Sequence, residues 1–528
     1  ELDLSAITFG TDATNAIALK SNAVFTFSDT LDNDGGLVFD LGSLTEGVTY
    51  QIFDLNADNT TLNGWNDDTL DLGNFRINGT LLSEMENAGI TLGEDGTFSY
   101  TLANENNPDV LYWVGGETGT WNTADAVWDI TPDDMEDENT AFSTDAHVAF
   151  NTSAAVDIAG SVQAASVAVE GEDTTLSLKS GSLTVADMYL EGTLDMASGV
   201  TLTVNNTEEV SISGITGSGT LVKAGSSTLE LGDAELVKLS LQSGATNVTG
   251  EVTLSGQISV GAATLNIESG AVVTANQLTG GNEGNNHPSS ININGGELYI
   301  TGSTNHAMNN DACTSNSILL AHWKSSNTVL TLNSGKLVAE DAVLNTSRDS
   351  KGTFKALGGE ATLLGIDLMG HNDQNRDGQF DLGTATTGSA VVTLGSRGIK
   401  NVSRGAVVNL GEGTLKSSAD FSIDGNNSVS LIGTVNGTIF DTNAHNITVN
   451  TVLTGGGKLV KNGAGDLKLT TANTYTGGST INNGSLTITH AQALGGGGGV
   501  LGKLNGTGTL VIDMADANTR VFATGSGD

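Results

Sequence analysis

Short runs of alternating apolar and polar residues, separated by single glycines, fill most of this chain. Beyond Phe150 many runs share the form glycine, any residue, leucine, any residue, apolar residue. They begin at Gly181, Gly192, Gly219, Gly296, Gly335, Gly457, Gly484 and Gly508. An apolar period of two predicts β-strands with one buried face. Helical periodicity is almost absent, and residues 82–88 are the one short candidate.

One of these runs occurs twice. Residues 219–231 and 457–469 share the frame G-x-L-V-K-x-G-x-x-x-L-x-L. The steps from Gly192 to Gly219 and from Gly457 to Gly484 are both 27 residues, a length that suits one coil of three short strands. The pattern predicts a parallel β-solenoid of roughly 14 to 18 coils, in which each coil buries its apolar side chains against its neighbours.

The first part of the chain has a different pattern. Aromatic, strand-length runs such as AVFTFS, VTYQIFDL and GTFSYTL alternate there with Asn, Asp and Gly turns. Several such strands at short spacing predict an antiparallel β-sandwich or jelly roll over residues 1–113. A Trp-rich, acidic junction or cap is predicted at 114–140, and the β-helix at 141–528. The fold class is therefore all-β.

Composition and charge narrow the possible partners. Seventy glycines, three prolines and 38% apolar residues are not typical of disorder. Twenty Lys and Arg against 61 Asp and Glu give a formal charge of −41, which argues against nucleic acid and against an anionic membrane surface as partners. Cys313 is the single cysteine, so an intrachain disulfide is excluded. We expect a monomer.

The core A-N-T-Y-T-G-G-S-T, from Ala472 to Thr480, follows the second copy of the frame. With the surrounding residues 405–495 it closely resembles the autotransporter-associated β-strand repeat. The weaker copy at 219–231 and the W-x-G-G…W…W pattern at 113–128 are similar to the same family.

The resemblance implies a passenger region of a type V secreted or cell-surface protein of a Gram-negative bacterium, folded as a right-handed parallel β-helix. Members of this family are mostly adhesins or large surface proteins, and a minority are hydrolases. A transmembrane β-barrel often follows the passenger. No such run of strands is recognisable here, so we expect either a removed barrel or a member released without one. The favoured function is adhesion to host or matrix glycoproteins or polysaccharides such as mucin, with no required cofactor.

An acidic loop near residue 380 predicts a calcium site. Asp373, Asn375 and Asp377 fall at positions 1, 3 and 5 of the loop, Gly378 falls at position 6 and Asp381 at position 9. Thr384 replaces the acid at position 12, so the affinity should be modest. The alternative is a polar turn without metal. The same D-x-N-x-D spacing recurs more weakly at Asp54, Asn56 and Asp58.

Two near-copies, V-F-D-L-G-S around Asp40 and Q-F-D-L-G-T around Asp381, are similar to the aspartic-protease signature. The resemblance implies an alternative function, an acid-active hydrolase whose two aspartates share a proton. Leu41 and Leu382 replace the bracing threonine, and the two copies lie in different predicted domains. Strand ends running into glycine turns are therefore the favoured explanation of both copies. A glycoside-acting hydrolase with another carboxylate pair also stays open. We favour a protein that is not an enzyme.

Three tryptophans, Trp113, Trp121 and Trp128, allow two interpretations. They form either a platform for carbohydrate or an apolar cap on the open end of the solenoid. The one cluster of Cys and His, at His306, Cys313 and His322, does not have the spacing of a structural zinc site.

Overall fold

The structure is a computed structural model. It describes residues 110–129, 140–144, 146–281, 288–303, 318–321, 327–346, 351–368, 378–383, 390–401, 405–433, 435–495 and 508–514, together with the backbone of the strands before residue 103. The chain divides into two compact units, Glu1–Val110 and Leu111–Asp528. The boundary lies close to the predicted one at 113. The segment 114–140, predicted as a separate junction, contributes strands to the second unit.

The strands of the first unit pair in both directions. Numbered β1 to β11 in chain order, they are Ala16–Ala18, Phe25–Phe27, Leu31–Asp32, Val38–Asp40, Thr49–Gln51, Phe53–Leu55, Leu62–Asn63, Phe75–Ile77, Thr80–Leu81, Ala88–Leu92 and Thr97–Leu102. The pairs β1–β4, β4–β8, β2–β6 and β3–β7 are parallel, whereas β8–β9, β10–β11 and β11–β5 are antiparallel. A purely antiparallel arrangement is therefore wrong for these strands, and the sandwich itself stays a prediction.

The described part of the second unit contains 38 strands in one continuous sheet. The first half, β12 to β30, comprises Leu111–Trp113, Thr118–Trp121, Ala126–Asp129, Thr140–Ala141, His147–Phe150, Ala154–Val169, Thr175–Leu190, Thr193–Met196, Thr201–Val204, Val210–Ile212, Ile215–Gly217, Thr220–Lys223, Thr228–Leu231, Ala234–Leu241, Ala245–Val248, Glu251–Val260, Thr264–Glu268, Val272–Ala275 and Gln277–Gly280. The second half, β31 to β49, comprises Pro288–Ile300, Ile318–Leu319, Asn327–Asn345, Lys351–Ala356, Glu360–Asp367, Gln379–Leu382, Val391–Asn401, Val407–Leu410, Thr414–Ser417, Phe421–Gly425, Val429–Leu431, Thr438–Asp441, Ile447–Val449, Leu453–Thr454, Leu459–Asn462, Asp466–Leu469, Ser479–Ile481, Ser485–Ile488 and Thr509–Ile512.

These strands confirm the predicted all-β solenoid, with about 14 turns and no helix among the described residues. Beyond β17 most strands pair in parallel with a strand one coil later, which produces three stacks. Stack 1 includes β21, β24, β26, β28 and the first half of β31. Stack 2 includes β23, the second half of β25, β46 and β48. Stack 3 includes β19, β22, β45 and β47. At ~4.8 Å per coil the solenoid is about 65 Å long.

The two 27-residue steps do not measure one coil. Hydrogen-bonded partners in adjacent coils are 17 residues apart where the corners are tight, 26 to 28 where the corners are longer, and 39 where an insertion lengthens a corner. Gly192 and Gly457 precede strands of stack 3, whereas Gly219 and Gly484 precede strands of stack 2. The 27-residue step therefore measures one coil plus one additional strand.

The core is a set of apolar columns that follow from the period-two pattern. In β46 Leu467 and Leu469 point inward, and each pairs in register with a buried side chain of β48. Burial of one such leucine contributes about 1.5–3 kcal/mol relative to exposure. Phe354 and Phe380 stack in adjacent coils with ring centroids 5.5 Å apart. Among the described residues, no helix has the length and apolarity needed to span a membrane.

Candidate functional site

The three predicted tryptophans lie inside the first coils. Trp121 and Trp128 are fully buried and Trp113 is 3% exposed. The ring centroid of Trp128 is 5.2 Å from that of Trp113 and 5.0 Å from that of Trp121. Stacking on a sugar needs an open ring face. The predicted carbohydrate platform is therefore wrong, because these indoles are core side chains. The W-x-G-G pattern has a steric cause, since a Cβ at Gly115 would lie 2.4 Å from the Trp113 ring.

Asp381 is the one predicted calcium ligand and candidate acid whose side chain the structure describes. It points outward from β36 between two inward residues but is only 5% exposed. Its Oδ2 accepts a hydrogen bond from Gln379 Nε2 at 2.7 Å, and its Oδ1 accepts one from Asn409 Nδ2 at 2.8 Å. Both carboxylate oxygens therefore serve packing contacts within the sheet.

The other predicted site residues lie outside what the structure describes. This holds for Asp373, Asn375 and Asp377, so the calcium loop stays a prediction. Within the described ranges no three or more His, Cys, Asp or Glu side chains are grouped to hold a metal ion. The weaker loop begins with Asp54 in β6, and its side chains also lie outside the description.

The predicted partnership of Asp40 and Asp381 stays untested. Asp40 ends β4 of the first unit, where its backbone pairs with Ala18 and Arg76. Its side chain is not among those described. The His306, Cys313 and His322 cluster likewise lies outside the described residues.

A structural role for Asp381 can be measured. In Asp381→Asn one of the two amide donors loses its acceptor, so we expect a loss of about 1–2 kcal/mol in the free energy of unfolding. Denaturant titration and hydrogen exchange of β36 and β38 would report it. Asp513→Asn is the control, because Asp513 is 65% exposed and its 3.7 Å ion pair with Lys468 should contribute little. Equal stability of Asp381→Asn and the wild type would contradict the assignment.

Amide ladders cover the outer side of stack 1. Asn266 Nδ2 donates to Asn247 Oδ1 at 2.8 Å, and Asn292 Nδ2 donates to Asn266 Oδ1 at 2.9 Å. Asn247 in turn donates to the carboxylate of Glu230, which heads the ladder. These residues are adjacent in register in β24, β26, β28 and β31, and all are half-buried.

The same arrangement recurs along the solenoid. An Asn donates to an Asn, Asp or Glu one coil earlier in the pairs Asn294–Glu268, Asn333–Asn294, Asn409–Asp381, Asn446–Asp420, Asn450–Asp424 and Asn482–Asn462. In each of these pairs the Nδ2 group belongs to the later coil and the accepting oxygen to the earlier one. The ladders therefore have a direction.

A charged column lies on the outer side of stack 2. Arg397 binds Asp367 with both ends of its guanidinium, Nε to Oδ1 at 2.9 Å and Nη2 to Oδ2 at 2.6 Å. Asp367 is 2% exposed, and its register partner in the next coil is Lys400, which binds Asp424. The hydrogen bond to Asp367 raises the pKa of Arg397 further. The charges on this column are thus largely compensated, although the protein is strongly acidic.

The lysine of the repeated frame occupies a core position. In β45 Leu459 and Lys461 point inward, and Lys461 pairs in register with Phe440 and Ile481, which are fully buried. The Lys223 side chain is equally buried, at the end of β23. Lack of solvent lowers the pKa of both lysines to about 8, so both stay mostly protonated at pH 7.

The ammonium of Lys461 connects three coils. Its Nζ lies 2.9 Å from Thr442 Oγ1 in the preceding coil and 2.8 Å from the carbonyl oxygens of Asn462 and Gly463 in its own corner. It lies 3.1 Å from the carbonyl oxygen of Asn483 in the following coil. A buried charge requires such partners, because desolvation without them costs several kcal/mol.

A glycine one coil later makes room for each lysine. Gly244 has a φ of +68° and Gly484 a φ of +69°. A Cβ at Gly244 would lie 2.8 Å from Lys223 Nζ, and one at Gly484 would lie 2.8 Å from Lys461 Nζ. The two copies of the frame therefore build the same lysine–glycine clamp. The copies occupy different corners of the coil, since β23 belongs to stack 2 and β45 to stack 3.

The A-N-T-Y-T-G-G-S-T segment closes the corner after β46. Asn473 is 2% exposed: its Oδ1 accepts the backbone N–H of Leu453 at 2.8 Å, and its Nδ2 donates to the carbonyl of Ala493 at 2.6 Å. Tyr475 is buried with its hydroxyl 2.5 Å from Ser479 Oγ, and burial raises its pKa to about 12. This motif therefore binds both neighbouring coils through its backbone and through the Asn473 side chain.

Comparison with known proteins identifies this region. The passenger-associated-transport-repeat family matches residues 459–488, which run from β45 to β48. The chain is also 40% identical over 88 residues to the adhesin BmaC autotransporter of Brucella suis biovar 1 (strain 1330). That alignment covers 16% of this chain and 2% of the relative's length. No solved structure matches the chain significantly.

These matches confirm the family predicted from the repeat. Residues 459–488 match the repeat of autotransporter passengers, and over 88 residues the chain is similar to an autotransporter adhesin. Such a protein is secreted or held at the outer surface of a Gram-negative bacterium.

Proposed function

We propose that this protein is an adhesin that binds host or matrix glycoconjugates, such as mucin, through the outer side of its solenoid. The observation that carries the proposal is the set of polar columns on a long parallel solenoid, where hydrogen-bonding side chains repeat once per coil. A relative that is similar over 88 residues is named an adhesin, which supports the same class of function. We expect the protein to act as a monomer without a required cofactor.

Binding of this kind rests on many weak contacts. Each amide or carboxylate on the surface contributes little by itself, since it exchanges a bond to water for a bond to the ligand. A solenoid about 65 Å long presents several such groups to one extended ligand or to a clustered display of short ones, and the combined affinity exceeds that of any single contact. The amide partners of Asp381 favour this function over hydrolysis.

Immobilised gastric mucin provides the test. We expect saturable binding of the purified chain at pH 7 that is lost after periodate oxidation of the mucin glycans. Albumin-coated wells are the background control. Binding to intact mucin that is no stronger than binding to oxidised mucin or albumin would contradict the adhesin function. Fragmentation of mucin or casein at pH 4 that Asp381→Asn abolishes would support the hydrolase instead.

A further inference from the structure

Tyr189 is the one aromatic residue among the large apolar side chains that the described part of the chain exposes. It is 57% exposed on the outer side of β18. Its hydroxyl donates to Glu191 Oε1 at 2.7 Å, and Glu191 Oε2 accepts the backbone N–H of Gly171 at 2.9 Å. The ring is therefore held in place by a bonded carboxylate while much of its surface stays open.

The neighbours of Tyr189 along the solenoid are small. Its register partner in the preceding coil is Ala168, and the following coil contributes β21, where Ser211 is the outward residue. Adjacent coils are ~4.8 Å apart, so short side chains on both sides leave the ring faces accessible. An exposed ring with open faces is the group that stacks on the apolar face of a sugar, and the carboxylate beside it accepts bonds from sugar hydroxyls.

The amide ladder of stack 1 follows from β21, which contacts β18 in the next coil. Ser211 pairs in register with Glu230, and Glu230 with Asn247. Asn247 and Asn266 each use one N–H and one oxygen lone pair within the ladder, so a second N–H and a second lone pair remain for a ligand. The spacing of ~4.8 Å between successive polar groups along the axis is close to the length of one sugar unit in an extended chain.

The charge of this strip selects among glycans. Glu191 and Glu230 contribute carboxylates. The hydrogen bond to Glu191 and the charge of the nearby Glu170 both raise the pKa of Tyr189. No Lys or Arg belongs to the column between β18 and β31. With a net charge of −41 for the chain, sulfated or sialylated glycans are repelled.

We propose that Tyr189, Ser211, Glu230, Asn247, Asn266 and Asn292 form a binding strip for uncharged linear glycans, which lie along the solenoid axis with about one sugar per coil. This inference rests on the proposed adhesin function and specifies its site and ligand class. The tryptophans predicted as the platform are buried, and Tyr189 provides the exposed ring instead.

The test compares Tyr189→Ala with a matched control. Tyr299→Ala removes a half-buried tyrosine of stack 3 whose hydroxyl also donates to a glutamate, Glu297. The probes are laminarihexaose, cellohexaose and chitohexaose with their trimers, and mucin before and after desialylation, measured by calorimetry or surface binding. Equal melting temperatures of Tyr189→Ala and the wild type would show that the fold is intact.

We expect at least one hexasaccharide to bind the wild type more tightly than its trimer. Tyr189→Ala should lose about tenfold in affinity, Tyr299→Ala should match the wild type, and desialylated mucin should bind at least as well as native mucin. Mucin binding that is unaffected by Tyr189→Ala, or that needs sialic acid, would refute the proposed binding strip but not the adhesin function. Failure of the wild type to bind any probe would overturn both.

Discussion

Lys461→Met should destabilise the C-terminal coils by about 3 kcal/mol. Methionine fits the apolar column between Phe440 and Ile481, but it removes the ammonium that donates to the carbonyl oxygens of Asn462, Gly463 and Asn483. These oxygens lie in the corners of two consecutive coils. The loss should therefore appear as weakened contact between coils rather than as a cavity.

Hydrogen exchange resolves this effect along the chain. Peptides covering β45 to β48 should lose protection in Lys461→Met, whereas peptides from β24 to β30 should not change, because in a solenoid each coil is stabilised mainly by its neighbours. Lys458→Met is the matched control, since Lys458 directly precedes the same strand, β45, but is half-exposed. Protection equal to that of the wild type in Lys461→Met would refute the clamp.

Gly484→Ala should be as damaging as loss of the lysine, at about 3 kcal/mol or more. The backbone there has a φ of +69°, which costs an alanine ~1–2 kcal/mol. The new Cβ would also lie 2.4 Å from the carbonyl oxygens of Gly463 and Gly465 and 2.8 Å from Lys461 Nζ. Two of these three contacts are backbone atoms, so the corner must shift as a whole.

Gly456→Ala is the control for this substitution. A Cβ at Gly456 would meet nothing within 4 Å, and its φ lies outside the left-handed region. Its stability should stay within ~0.5 kcal/mol of the wild type. Denaturant unfolding of both variants, with far-ultraviolet circular dichroism as the probe, separates the outcomes. A Gly484→Ala variant as stable as Gly456→Ala would show that the corner is more adaptable than its contacts indicate.

Period-two alternation predicted the strands, because each strand buries one face whatever its neighbours are, and the repeated frame predicted that they stack as a solenoid. The length of a coil was not predictable in the same way. Gly192 and Gly219 mark similar strands, yet the strands belong to different stacks. The same local motif begins strands at different corners of the coil. The motif itself does not show which corner it occupies.

Candidate site residues were harder to predict than strands. Tryptophan suits both a core and a sugar platform, and only the packing of Trp121 and Trp128 distinguished the two. Lys461 was missed as a core residue although a signal was present: in the L-V-K segment the lysine is in phase with the inward leucine. Tyr189 was missed because a shift of one position in the alternating pattern decides whether an aromatic side chain points outward or inward.

The orientation of the amide ladders has a consequence for engineering. Since every bond in the pairs described above runs from an Asn in the later coil to an oxygen in the earlier one, the two cut faces of any excised block are chemically unlike. Blocks of coils should join into longer rods head to tail, where donors meet acceptors. Joined tail to tail, they would set oxygen against oxygen and repel.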